Sequence, residues 1–269
     1  MVIKVQIYSE KHKPQPPERG PRHRKSGIGR YIQRLFFVIL RRKNPFQVKK
    51  YVVKYLIFII GLYFLAAGIV LILRSSLGTT PISSVNYVLS RNTPITLGTW
   101  TFLFNILLIM GQFWFIRDRM TRRDTLEILL QIPFSMLFGV FIDFNMALTE
   151  TLHPTHYAMA IAMLLTGCLI QAIGVVFEIK PHVVMMSAEG FVNYASQRYN
   201  KDFGKIKVGF DISLVTIAVV VSVLFSQRVE GVREGTLIAA CSTGYIVSFL
   251  NRKIMTRAML HRVLPLRRA

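Results

Sequence analysis

A few polar residues lie inside long apolar runs, and they are the first candidates for chemistry. Asp211 follows Gly204 by seven positions, and Asn105 follows Gly98 by the same interval. A charged side chain in the middle of a bilayer costs about 2.5–3.5 kcal/mol, so it needs a partner or a role. A carboxylate and an amide that face each other could bind a cation or a proton-coupled solute. The alternative is that Asp211 lies at headgroup level, where its charge costs little.

Further candidates lie between the apolar runs. Arg74 ends the first run, where it could complement a helix C-terminus, hold the following segment, attract an anion or extend towards headgroups. Two polar linkers, 75–97 and 178–207, each contain a short amphipathic stretch. The candidate solute- or ion-binding side chains on these stretches are Ser83, Ser84, Asn86, Glu189 and Asn193.

The glycine pairs in the apolar runs have a structural interpretation. Gly61 and Gly68, like Gly167 and Gly174, are seven apart and therefore share one helix face, which predicts close helix packing. The sequence has no glycine-rich phosphate loop, no HExxH and no CxxC motif, so it predicts no enzyme, no metal site and no cofactor.

Composition and charge together indicate the class of protein. Of the 269 residues 52% are apolar and 17% are charged, yet the formal net charge is +21. A soluble domain usually carries about 25% charged residues. Such a chain is either a membrane protein with basic loops or a nucleic-acid binder with an apolar core, and the positions of the charges decide between them.

Six apolar runs are candidates for membrane-spanning helices, which need about 20 mostly apolar residues. The runs are 55–73, 99–116, 125–148, 157–177, 208–225 and 236–250. Twenty-nine Lys and Arg residues fall in the segments on one side of the predicted spans, which are 1–50, 117–124, 178–207 and 251–269. Only three fall in the segments on the other side, which are 75–97, 148–155 and 227–234. This bias predicts a multi-pass protein of the cytoplasmic membrane with both termini in the cytoplasm, and no specific nucleic-acid partner.

The chain repeats itself at an interval of 106 residues, which aligns the glycine pairs and aligns Asn105 with Asp211. Each half contains three predicted spans, so the second half must cross the membrane in the opposite direction to the first. The predicted fold is therefore all-α, with six transmembrane helices arranged as two inverted three-helix repeats, 51–148 and 156–250. Such repeats are common in secondary transporters, and that step is an analogy.

Each repeat contains a short linker helix after its first span. In the first linker Thr80 suits the N-cap and Pro81 the first helical position, and 187–194 is the counterpart in the second. The linker helices either enter the membrane from their own side, with their N-termini available to an anionic group, or lie flat on the surface.

Basic segments flank the two repeats. Residues 1–27 are rich in Lys, Arg, Pro and His and are predicted to be a disordered cytoplasmic tail. Residues 28–50 are predicted to form an interfacial amphipathic helix and a linker, and 251–269 a basic cytoplasmic C-terminal tail. Anionic lipid is the expected partner of the basic segments, with a cytoplasmic protein partner as an alternative.

The run from Leu73 to Pro81, followed by Ser84, Gly98 and Asn105, resembles the YczE/YitT-like family of bacterial integral membrane proteins. The resemblance covers about residues 50–255 and implies a permease-like membrane protein. The second linker departs from the family's pattern, because Glu178–His182 and Met185–Met186 replace a plainer Leu-Gly-Pro sequence.

Two functions are consistent with these features. The first is a secondary transporter or permease that binds a small solute near the pseudo-twofold axis. The second is a membrane-anchored scaffold or accessory protein whose basic N-terminal tail engages anionic lipid or an acidic partner. The sequence does not decide the substrate, the coupling ion or whether the protein forms a homo-oligomer.

Overall fold

The computed structural model describes residues 45–181, 183–227, 231 and 233–250. Within this part the chain forms eight helices and no strand. The helices are α1 (Pro45–Arg74), α2 (Pro81–Asn92), α3 (Leu97–Ile116), α4 (Arg122–Leu148), α5 (Tyr157–Ile179), α6 (Ser187–Tyr199), α7 (Phe203–Ser226) and α8 (Glu234–Phe249).

The chain divides into two units, residues 1–48 and 49–269, and the description that follows concerns the second. The predictions for 1–27, for most of 28–50 and for 251–269 lie outside the described residues. Helix α1 begins at Pro45, inside the segment that the sequence analysis assigns to the interfacial helix and linker.

Five helices are long and apolar enough to cross a membrane, namely α1 from Tyr51 onwards, α3, α4, α5 and α7. Large apolar side chains such as Trp114, Leu148 and Leu224 are exposed on the outside of these helices. A soluble protein rarely exposes so much apolar surface, whereas lipid covers it at no cost. The prediction of an all-helical, multi-pass membrane protein is confirmed at this level.

The sixth predicted span corresponds to α8, which has 16 residues. At a rise of 1.5 Å per residue it measures about 24 Å, less than the ~30 Å hydrocarbon core of a typical bilayer. Leu250, which directly follows α8, still has helical backbone angles. Residues 251–269 are outside the described part.

Side-chain caps fix where several helices begin. Helix α3 follows Thr96, whose hydroxyl accepts the backbone N–H of Thr99 at 3.2 Å. Helix α7 follows Asp202, whose carboxylate accepts the backbone N–H of Lys205 at 3.1 Å. These caps satisfy backbone donors that have no partner inside the helix.

Helices α1 and α5 pack closely through the four glycines of the sequence analysis. A Cβ atom added at Gly68 would lie 2.4 Å from the backbone nitrogen of Gln171, and one at Gly174 would lie 2.4 Å from that of Leu65. Added Cβ atoms at Gly61 and Gly167 would lie 2.7 Å from a backbone nitrogen of α5 and 2.9 Å from one of α1. Both backbones therefore approach each other where side chains would keep them apart.

The remaining helices pack around this pair. Helix α2 packs on α7 and α3, α6 packs on α3 and α7, α3 packs on α4, and α5 packs on α8. Aromatic contacts of Tyr55 and Phe58 with Phe134 join α1 to α4. The short helices α2 and α6 are thereby held against the long helices, with their first residues turned towards the centre.

Candidate functional site

A cavity of about 250 Å³ lies between the two halves of the membrane unit. It is lined by α1, α3, α4, α5, α7 and α8 and by the first residues of α2 and α6. Its apolar lining includes Leu65, Ile69, Phe138, Val175 and Met186. Its ionisable lining residues are Glu178, Glu189, Lys207 and Asp211. A concave site with an apolar surface and a few convergent polar groups is typical of a small-molecule site.

Most of the lining residues come in pairs separated by the repeat interval. Seven such pairs are 106 positions apart, and together they supply two thirds of the lining. The pairs are Leu65 with Gln171, Ile69 with Val175, Thr80 with Met186, Ile82 with Ala188, Ser83 with Glu189, Thr101 with Lys207, and Asn105 with Asp211.

Asp211 and Asn105 line the same cavity. The hypothesis that the two residues form one binding site requires this proximity. Lys207, one helical turn before Asp211, donates a hydrogen bond from Nζ to Asp211 Oδ1 at 2.8 Å. The side chains of this ion pair are 26% and 28% exposed. The charge of Asp211 is therefore balanced inside the protein by a neighbour on its own helix.

Two further carboxylates line the cavity from the end of α5 and the first turn of α6. Glu178 is 6% exposed, and no hydrogen bond or ion pair joins it to any described residue. Glu189 is half-buried and lines the same cavity as Glu178. Its place in the first turn of α6 suits the positive end of that helix.

Two buried amides in the lining have an atom without a partner among the described residues. They are Nδ2 of Asn105, a residue that is 5% exposed, and Oε1 of Gln171, a residue that is 9% exposed. Buried amide atoms are rarely left unpaired in folded proteins, so these two atoms are available to water or to a polar ligand in the cavity.

The N-terminus of α2 is fixed by contacts among its own residues and with α3. The Thr80 hydroxyl donates to Ser83 Oγ at 2.9 Å, and Ser84 Oγ donates to the carbonyl oxygen of Pro81 at 2.7 Å. Asn86 Nδ2 donates to Thr101 Oγ1 at 3.4 Å. Ser83 is one of the residues that line the cavity. Ser84 and Asn86 are buried but are not among the lining residues.

A buried amide network fixes the N-terminus of α6. Gln112 donates from Nε2 to Gln131 Oε1 at 2.8 Å and to the carbonyl oxygen of Ser187 at 3.0 Å. Gln131 returns a hydrogen bond to Gln112 Oε1 at 2.9 Å. Asn193 lies further along α6, half-buried and away from the cavity.

Arg74 also lies away from the cavity. Its Nη2 donates to the carbonyl oxygen of Met146 at 2.7 Å, and its Nε donates to Thr149 Oγ1 at 3.3 Å. The side chain therefore connects the end of α1 to the end of α4. The sequence analysis did not anticipate this contact with α4 among the roles it left open for Arg74.

The segment that follows Arg74 is attached to the start of α8. The backbone N–H of Thr79 donates to Thr236 Oγ1 at 3.2 Å, and the N–H of Gly235 donates to the carbonyl oxygen of Leu77 at 2.9 Å. Gly78 has φ of 143°, and an added Cβ would lie 2.5 Å from Thr236 Oγ1. Glycine is therefore required at this contact.

Sequence reasoning missed two charged lining residues. It assigned Glu178 to the second linker, whereas in the structure this residue belongs to α5 and packs beside Gly61. Lys207 was not among its candidate residues, although the spacing of four to Asp211 could have indicated an ion pair. Among the described residues no group of three or more His, Cys, Asp or Glu could hold a metal ion.

The fold and the cavity define a helical, multi-pass membrane protein with a buried polar site. The chain belongs to a family of unknown function (DUF6198), whose model matches residues 52–252. No curated protein and no solved structure matches the chain. The resemblance to the YczE/YitT-like family stays a prediction.

Proposed function

We propose that the protein is a secondary transporter, or permease, which binds a small solute in the central cavity between two inverted three-span repeats. In this proposal α1, α3 and α4 are the spans of the first repeat, and α5, α7 and α8 are those of the second. The protein lies in the cytoplasmic membrane with both termini in the cytoplasm, as the distribution of Lys and Arg favours.

The positions of the helices support the repeat. Helices α2 and α6 begin at Pro81 and Ser187, and α3 and α7 begin at Leu97 and Phe203, so both intervals are 106 residues. The N-caps Thr96 and Asp202 are separated by the same interval. Equivalent segments therefore begin at equivalent places and for the same physical reason.

The contacts between helices also support a twofold relation. The contact of Gly61 with Gly174 becomes the contact of Gly167 with Gly68 when the two repeats are exchanged. In the same exchange, the packing of α2 on α7 becomes that of α6 on α3. Inverted repeats related in this way place the solute site of many transporters at the repeat interface.

The observation that carries the proposal is the cavity itself, because its lining residues are paired across the repeats. A protein that served only as an anchor would gain nothing from burying charged and unpartnered polar groups at this position, where each costs free energy. A transporter needs such groups to replace the water around a polar solute.

Transport is testable without knowing the solute. Proteoliposomes with the full-length chain are mixed rapidly with hyperosmotic ethanolamine, ethylene glycol, glycolate, glycine or choline, and light scattering follows their re-swelling as solute enters. We expect protein-dependent entry of at least one solute and about tenfold slower entry with Asp211→Asn. Glu150→Gln, in an exposed loop, is the matched control. Correctly folded protein that admits none of the solutes would overturn the proposal.

A further inference from the structure

The ionisable residues of the cavity do not balance in charge. Lys207 is bonded to Asp211 at 2.8 Å, which leaves the carboxylates of Glu178 and Glu189 without a cation among the described residues. The protein as a whole has a formal net charge of +21. A negative cavity inside a strongly basic protein needs an explanation in terms of what the cavity holds.

We infer that the cavity binds a small organic cation whose ammonium group lies between Glu178 and Glu189. This inference rests on the proposed function and names the substrate class of the same site. Two carboxylates that line one small cavity repel each other, and an ammonium group between them removes that repulsion while donating charge-assisted hydrogen bonds to both.

The unpartnered amides support a ligand of this kind. Gln171 Oε1 is a hydrogen-bond acceptor without a partner among the described residues, so it can accept an N–H from the same ammonium group. Asn105 Nδ2 is a donor that no described residue pairs with, so it suits a hydroxyl or carbonyl oxygen elsewhere on the ligand. Both side chains line the cavity and are more than nine-tenths buried.

The size and lining of the cavity argue against a bare metal ion. Inorganic cations bound by oxygen need a close shell of ligands at about 2.0–2.6 Å. A cavity of about 250 Å³ with Leu65, Ile69 and Phe138 in its lining has room for the carbon skeleton of an organic molecule. The described residues contain no cluster suited to a metal.

An anionic ligand is disfavoured by the same residues. The Lys207 ammonium is already bonded to Asp211. The N-terminus of α6 carries its own carboxylate, Glu189, in the first turn. The first residue of α2 is Pro81, which has no N–H to donate, and the N–H groups of Ser83 and Ser84 are bonded to Thr80.

The first test uses the wild-type protein and ligands of matched size. Full-length protein in lipid nanodiscs is heated with ethanolamine, ethylene glycol, glycolate, glycine or choline at constant ionic strength. We expect ethanolamine to raise Tm by about 4 °C when its concentration is ten times the Kd, and the neutral and anionic molecules to leave Tm unchanged. Choline, whose quaternary ammonium group has no N–H to donate, should raise Tm less than ethanolamine does. Stabilisation by glycolate or ethylene glycol without stabilisation by ethanolamine would overturn the inference, as would no stabilisation at all.

The second test uses variants. Glu178→Gln and Glu189→Gln should each weaken amine binding about tenfold or more, whereas Glu150→Gln should leave it unchanged. Because no described residue forms an ion pair with Glu178, its replacement by Gln should not unfold the protein. Amine binding that survives both substitutions would contradict the assigned position of the ammonium group.

The outcomes separate this inference from the proposed function. Amine binding without entry of any solute into proteoliposomes would support the cation site and overturn the transporter. Entry of ethylene glycol or glycolate, with no amine bound, would support the transporter and overturn the cation site.

Discussion

Residues 51–148 and 156–250 contribute to the cavity from equivalent positions but with different chemistry. The first segment supplies Ser83, Thr101 and Asn105, which are neutral. At the positions 106 residues later the second segment supplies Glu189, Lys207 and Asp211, which are all ionisable. Among the described lining residues, charge is thus confined to the second segment.

This difference separates what the fold requires from what the site requires. Close helix contacts are needed on both sides of a twofold arrangement, and glycines accordingly occur in both halves. A ligand has no twofold symmetry of its own, so its charged end needs matching groups in one half only. We therefore expect helix packing to be equally sensitive to substitution in the two segments, and charge not to be interchangeable between them.

The largest effect is expected from the glycines. Gly68→Ala and Gly174→Ala would each place a Cβ 2.4 Å from a backbone nitrogen, which no change of rotamer relieves. We expect each to destabilise the protein by about 3 kcal/mol, measured by thermal or denaturant unfolding in detergent. Gly209→Ala is the control, because nothing lies within 4 Å of its added Cβ. A large loss of stability in only one of the two variants would contradict symmetric packing of the two segments.

The next effect concerns two buried glutamines with different surroundings. Gln112→Leu removes hydrogen bonds to Gln131 and Ser187 and leaves their buried groups unpaired, at a cost of about 2 kcal/mol. Gln171→Leu removes an oxygen that has no partner among the described residues, so we expect less than about 1 kcal/mol in the same unfolding measurement. Equal costs would mean that Gln171 has a structural role like that of Gln112.

A smaller effect, on function, comes from moving charge between the halves. Asp211→Asn leaves the Lys207 ammonium without its carboxylate, which should slow solute entry into proteoliposomes about tenfold. Combining it with Asn105→Asp restores the carboxylate at the equivalent position of the first half. Because Lys207 is on α7, one turn from position 211, we expect no recovery in the double variant. Full recovery would show that the two halves are interchangeable in charge as well as in backbone.

Much of the fold could be predicted from local sequence. Uncharged apolar runs gave most of the long helices, and Thr80 followed by Pro81 gave the start of α2, because capping and proline geometry act over a few residues. The interval of 106 residues recurs in the starts of the short helices.

The polar surroundings of the cavity were harder to predict, since they depend on tertiary packing. Glu178 is buried because α5 approaches Gly61 closely, which no local pattern reveals. Whether Gln171 finds a partner depends on which helix face it meets. Arg74 was assigned a site role from its position at a helix end, whereas its contacts are with Met146 in the last turn of α4 and with Thr149 directly after that helix.

The smallest effect is expected at a surface contact between the two halves. Arg198 of α6 hydrogen-bonds Asp118 in the loop after α3, and this bond lowers the pKa of the Asp118 carboxyl below its ordinary value of 3.8. The position 106 residues before Arg198 is Asn92, whose amide cannot form the corresponding ion pair.

Because the pKa of Asp118 is lowered in the folded state, the contact stabilises the protein at pH values above the ordinary pKa of Asp. This contribution is lost as the pH falls through the pKa of the folded state. The wild-type Tm should therefore exceed that of Asp118→Asn slightly at neutral pH, and the two should converge in strong acid. Because both side chains are exposed to solvent, the difference should also shrink with added salt. A difference in Tm that grows on acidification would contradict the role assigned to Arg198.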